Sequence, residues 1–122
     1  MVAAMQREMP FLDALPKSRW VADSIVTGWQ TYRDAVVWCW QNRRRNSRDE
    51  IGDQSMFARS SGAHRPHVSR MLNPHTKAPM DLPPDLAPSF EAFTGWRGVT
   101  QYLAKIGHTT VMEQVIAERN AA

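Results

Sequence analysis

Apolar residues along this chain recur at spacings of three and four. Nowhere do they alternate with polar ones for long enough to make a strand. The pattern predicts an all-α chain of about five or six helices. Residues 1–20 hold two prolines and no sustained period. They are expected to form a flexible arm, with a short helical turn around Phe11 to Leu15. A long N-terminal helix follows, capped by Asp23 or Ser24 and running to about Arg45. Its stripe is Ile25, Trp29, Tyr32, Val36 and Cys39 or Trp40. Gly28 inside it costs about 1 kcal/mol relative to alanine, which packing can offset. Residues 46–53 are polar and read as a loop.

Farther along, Leu82-Pro83-Pro84-Asp85 resembles a helix start, since proline is tolerated in a first turn. That helix would bury Leu86, Phe90 and Phe93 and end at Gly95. Another is expected from about Trp96 to Ile106, burying Val99, Tyr102, Leu103 and Ile106 and stopping at Gly107. Thr110-x-x-Glu113 has the form of a capping box for a last helix. Its apolar edge would be Val111, Met112, Val115 and Ile116. A chain of 122 residues suits one core. The expected organisation is therefore the arm, then a single helical domain over 21–122 with accessory or dimerisation helices over 83–120. The predicted core is Trp29, Val36, Phe57, Ala58, Val68, Met71, Leu72, Leu86, Phe90, Leu103 and Ile106.

Residues 54–73 carry the most information. They read as a helix-turn-helix, the unit that sets a helix into the DNA major groove. Ala58 falls where two helices would touch. Gly62, four residues on, falls where the first must end, often with positive φ. Phe57, Ala63, Val68 and Met71 take inward faces. His64, Arg65, Ser69, Arg70 and Asn73 share the outward face of the second helix. Pro74 biases Asn73 away from the helical region and ends it there.

Charge sharpens this picture. The net charge is only +3, but eight of the 15 lysines and arginines lie between Arg43 and Lys77. No acid lies between Asp53 and Asp81, and three of the four histidines, His64, His67 and His75, stand in that gap. A basic stretch centred on a helical motif is the footprint of a phosphate-binding face. The expected partner is double-stranded DNA. Arg65 and Arg70 lie about 140° apart around a helix, and either can bond guanine O6 and N7. Ser69 and Asn73 lie near Arg70, and His64 and His67 can donate to phosphates or bases. Gln54 and Ser55 open the first motif helix, where free N–H groups can meet a phosphate. Arg43, Arg44, Arg45, Arg48 and Lys77 are further candidates for phosphate contact.

Other classes find little support. There is no paired Cys motif, no Gly-rich phosphate loop and no His-Glu-x-x-His, so no enzyme and no cofactor is expected. Glu91 and Glu113 read as solvent or cap residues. His64-x-x-His67 lacks a third ligand of suitable spacing, so no metal is expected. Cys39 is the only cysteine, which excludes an intrachain disulfide and fits a reducing cytoplasm. No apolar run spans a bilayer, and Arg7, Glu8, Pro10 and Asp13 stand where a signal peptide needs an apolar run. The rival is a helical protein-binding module, such as a phage factor acting on a host protein. The apolar C-terminal edge allows it, as do Trp38 and Trp40: they lie about 200° apart on one helix, so one should face outward.

Phe57-Ala58-x3-Gly62-x5-Val68-Ser69-Arg70-Met71-Leu72 is followed by a Pro-containing loop and Leu82-Pro83-Pro84-Asp85-Leu86-x-Pro88-x-Phe90. Thr94-Gly95 and Gln101-Tyr102-Leu103-Ala104 come next. Over about residues 50–106 this series resembles the CII-type transcriptional regulators of temperate phages and prophages. The resemblance implies a lambda-repressor-like helix-turn-helix domain and transcriptional control. It also implies DNA contacts at Gln54, His64, Arg65, Ser69, Arg70 and Asn73. A homodimer is expected, because one such motif reads only a few base pairs.

Overall fold

The computed structural model describes residues 17–121. Among these the chain forms six α-helices: α1 (Asp23–Val26), α2 (Tyr32–Gln41), α3 (Gln54–Ser61), α4 (Arg65–Leu72), α5 (Ala87–Thr94) and α6 (Gly98–Ala121). A 3-10 turn at Pro84–Leu86 leads into α5. No strand occurs among the described residues, only isolated bridges between Arg19 and Trp96 and between Arg45 and Ile51. The all-α class read from periodicity is therefore the observed one.

The expected long N-terminal helix is two. Thr31 is extended, and its side chain accepts from the Asp34 amide at 3.1 Å. Asp34 returns the bond, accepting from the Thr31 and Gln30 amides. This capping box starts α2 afresh. The preceding α1 is a single turn that begins after Ala22, with no side-chain cap from Asp23 or Ser24. Lys105 of α6 donates to the Val26 and Thr27 carbonyls at its end. The second helix stops at Gln41, with Asn42 as its C-cap, so the arginines at 43–45 lie beyond it.

The central element is α2, which packs on α6, α4 and α5, while α3 packs on α4 and α5. Ala35, Val36 and Cys39 are sealed on its inner face, in one core with Phe57, Val68, Leu72, Phe90 and Val99. Phe57 joins the layers: its ring lies 5.4 Å from Phe93, 5.7 Å from Phe90 and 6.2 Å from Trp40. Trp29, Ala58 and Met71 are buried as expected, and Leu86 is partly buried against the same core. Trp38 is half-buried between Trp29 and Trp96, and Trp40 is in the core. Neither is the outward tryptophan the helix angle suggested. The exposed indole is Trp20, with Arg97 over its ring at 5.0 Å.

Two helices expected at the C-terminus are one. Gly107 stays helical, and the Thr110 hydroxyl donates to the Ile106 carbonyl at 2.9 Å instead of capping a new start. This i−4 bond satisfies Thr110 inside a helix. Among the described residues, only the first turns of α6 lie on the body, through Gly98, Val99 and Tyr102. Leu103 and Ile106, placed in the core by periodicity, are 44% and 42% exposed. Glu91 caps this helix by accepting from the Thr100 amide and hydroxyl at 3.0 and 2.7 Å.

Ser18 and Arg19, expected in the flexible arm, are bonded to the body, with Ser18 Oγ donating to the Glu91 carbonyl at 3.1 Å. The Arg19 amide donates to Gly95, and the Arg97 amide donates to Arg19. Next to this pairing the Gln101 side chain accepts from the Val21 amide and donates to its carbonyl, at 2.8 and 2.9 Å. The arm expected over 1–16, with its turn near Phe11, lies outside the described residues. Gly95 ends α5 at φ 81°, and a Cβ there would stand 2.5 Å from Arg44 Cδ. Both the conformation and the close approach require glycine.

Candidate nucleic-acid interface

Helices α3 and α4 are eight residues each and are joined by Gly62-Ala63-His64. Asp53 starts α3, its carboxylate accepting from the Met56 amide at 2.8 Å. Gly62 ends it in the left-handed region, φ 77°, with its amide bonded to Ala58. His64 is extended and precedes α4, and Pro66 sits in the first turn, where its missing N–H costs nothing. Val68, Met71 and Leu72 turn into the core. Asn73 leaves the helix in an extended conformation, as Pro74 requires.

The other face of α4 is open. His64, Arg65, His67 and Arg70 are exposed, and Ser69 and Asn73 are half-buried. The His64 and His67 rings meet edge to face at 4.7 Å. No group of three or more His, Cys, Asp or Glu suited to a metal occurs among the described residues. Arg65 Nε donates to Ser55 Oγ at 3.0 Å and ties the start of α4 to that of α3. Arg70 Nε donates to the Ala78 carbonyl at 2.7 Å, so its side chain is anchored to the loop after the helix. Asn73 Oδ1 accepts from the His75 amide at 3.0 Å, which commits that oxygen to the loop. Gln54 is the first residue of α3 and half-buried, with the Asp53 carboxylate already engaging one amide of that turn.

The flanking cations divide by geometry. Arg43 lies 4.1 Å over the Trp40 ring and donates to the Gly52 and Trp40 carbonyls at 2.6 and 2.8 Å. Burial draws its guanidinium below the ordinary arginine range, partly offset by Asp53. Arg44 donates to the Ala92 carbonyl, and burial and the Arg19 charge lower it likewise. These two side chains are bound into the fold. Arg45 is exposed and turned to Asp49, 3.8 Å away. Arg48 and Lys77 are exposed, as is His75 in the same loop as Lys77.

Sequence reasoning missed Arg33. It extends from the first turn of α2 to the end of α4 and bonds main-chain oxygens there. Its partners lie 37 to 47 residues away and are all backbone carbonyls, so side-chain identity carries no signal for them.

Comparison with family models, curated proteins and solved structures finds no match to this chain. No helix among the described residues is long and apolar enough to cross a membrane.

Proposed function

We propose that this protein binds double-stranded DNA sequence-specifically, with α4 as the recognition helix in the major groove. In this reading it is a transcriptional regulator of the CII-type phage and prophage class, built on a lambda-repressor-like domain. One observation carries the reading. Two eight-residue helices joined through a left-handed Gly62 leave Arg65, His67 and Arg70 exposed inside a window without acids. Such a face suits a polyanion in a groove.

Arg70 is the main candidate for base contact. Its Nε is held by Ala78, which leaves the terminal nitrogens for a guanine edge. Arg65, His67 and Ser69 stand beside it. Gln54, Ser55, His64, Lys77, Arg45 and Arg48 serve phosphates. Asn73 keeps its amide donor for DNA. Arg43 and Arg44 support the loop instead of touching it. The protein acts as a homodimer, paired through the exposed Val111, Met112, Val115 and Ile116 of α6.

Selection from random duplexes, followed by binding measurements on the enriched site, tests the assignment. Arg70→Ala should cost about 1–3 kcal/mol on that site and relax specificity at one position. A phosphate contact removed, as in Lys77→Ala, should weaken all sequences and lower the salt slope by about 0.9. No enriched sequence, with the Arg65/Arg70 double alanine variant binding DNA as wild type does, would defeat the reading and favour a protein-binding module.

A further inference from the structure

Helix α4 is short, and its last carbonyls need partners. The Arg70 carbonyl accepts from the Met80 amide at 3.2 Å and the Asn73 carbonyl from the Thr76 amide at 3.3 Å. The same two oxygens accept from Arg33, whose Nη1 also reaches the Met71 and Met80 carbonyls at 3.5 Å. One half-buried guanidinium thus gathers four carbonyls, from the end of α4 and from the far end of the loop that follows. A cation at a helix C-terminus is favourable, and only arginine has a planar fork of five donors for so many acceptors. From the exposed side, Arg70 Nε closes the same loop through Ala78.

We infer that Arg33 is a positioning residue: from α2, it locks α4 and the 73–80 loop into one rigid reading unit. The inference rests on the DNA reading above. DNA bases on Arg70 and phosphates on Lys77 then meet a surface of fixed spacing. Arg33 itself contacts no DNA. A merely structural arginine would lower stability and leave the α4–loop coupling unchanged. A positioning arginine couples the two ends of the surface, and lysine in its place keeps the charge but loses the fork.

Hydrogen exchange on the full chain tests the lock without DNA. The Asn73, Thr76 and Met80 amides, all bonded in the structure, should exchange slowly in wild type. In Arg33→Lys and Arg33→Gln they should exchange about tenfold faster or more, the loss expected for hydrogen bonds to a charged group, while Tyr102 in α6 keeps its rate. Exchange of Met80 and Thr76 at unfolded-chain rates in wild type overturns the inference before any variant is made. So do unchanged rates in the variants.

A double-mutant cycle on the enriched duplex tests the consequence. Lys77→Ala should lower the salt slope by about 0.9 in wild type and by nothing further in Arg33→Lys. Equal effects of Lys77→Ala in both backgrounds overturn the coupling but leave DNA binding standing. A wild type that binds no duplex overturns the DNA reading, and with it the purpose assigned to Arg33.

Discussion

Cys39 illustrates how far a single residue's environment departs from its sequence neighbourhood. It lies on the buried face of α2 and is fully enclosed. Burial pushes its thiol from an ordinary value near 9 up to about 12, with a smaller contribution from Glu91, against opposing bonds from the Gly98 and Val99 backbone. Between those two values the unfolded chain loses a proton that the folded chain keeps. The unfolded state then binds fewer protons, so stability falls as pH rises. Below about 9 the thiol contributes no slope. Tyr32, also raised by burial, acts in the same direction at higher pH. Urea midpoints from pH 8 to 11 should therefore fall more steeply for wild type than for Cys39→Ala, on the order of the ordinary thiol range upward. Identical slopes would mean that the thiol is not held neutral. The sequence marked Cys39 as apolar-striped, but its enclosure comes from tertiary packing, with Gly98 of α6 closely approaching its Sγ.

At the scale of elements, local capping and long-range packing competed, and the outcome differs along the chain. Gly62 ends α3 and Pro74 ends α4 because each acts through its own backbone, and both boundaries were legible. Thr31-x-x-Asp34 was equally local. Its signal was masked because the apolar stripe continues in phase from Ile25 to Val36, so one long helix and two short ones share one pattern. Gly107 gave the opposite error. A glycine in a helix costs only about 1 kcal/mol, and nothing at that position forces a turn. Helices α3 and α4 pack on each other. Ala58 is 7% exposed between them. Ala58→Leu should overpack this contact and cost about 1–3 kcal/mol in chemical denaturation. An unchanged midpoint would mean that the helices are not in contact there.

For the whole molecule, the feature left open is the second half of α6. Val111, Met112, Val115 and Ile116 are 41–58% exposed, on a segment that the described residues leave uncovered. The proposed homodimer would cover them and set two α4 helices on half-sites about 34–36 Å apart. Val115→Glu with Ile116→Glu should give a folded monomer by sedimentation, since the body does not depend on these side chains. It should also weaken binding to a palindromic site far more than to a single half-site. A wild-type monomer at every concentration, alone and on a palindrome, rules the dimer out.

The sequence by itself determined the helical class, the inward faces of α3 and α4, the left-handed Gly62 and the basic window around α4. Each depends on neighbours within a few residues, where period, capping and charge act directly. Tertiary structure decided the rest. It held the end of α1 through Lys105, docked Arg19 on Gly95 and Arg97, and bound Arg44 to Ala92. It also brought Arg33 to the end of α4. In these cases the partner is a backbone carbonyl or amide far along the chain. Every residue carries such a carbonyl, so only the folded arrangement selects which ones meet.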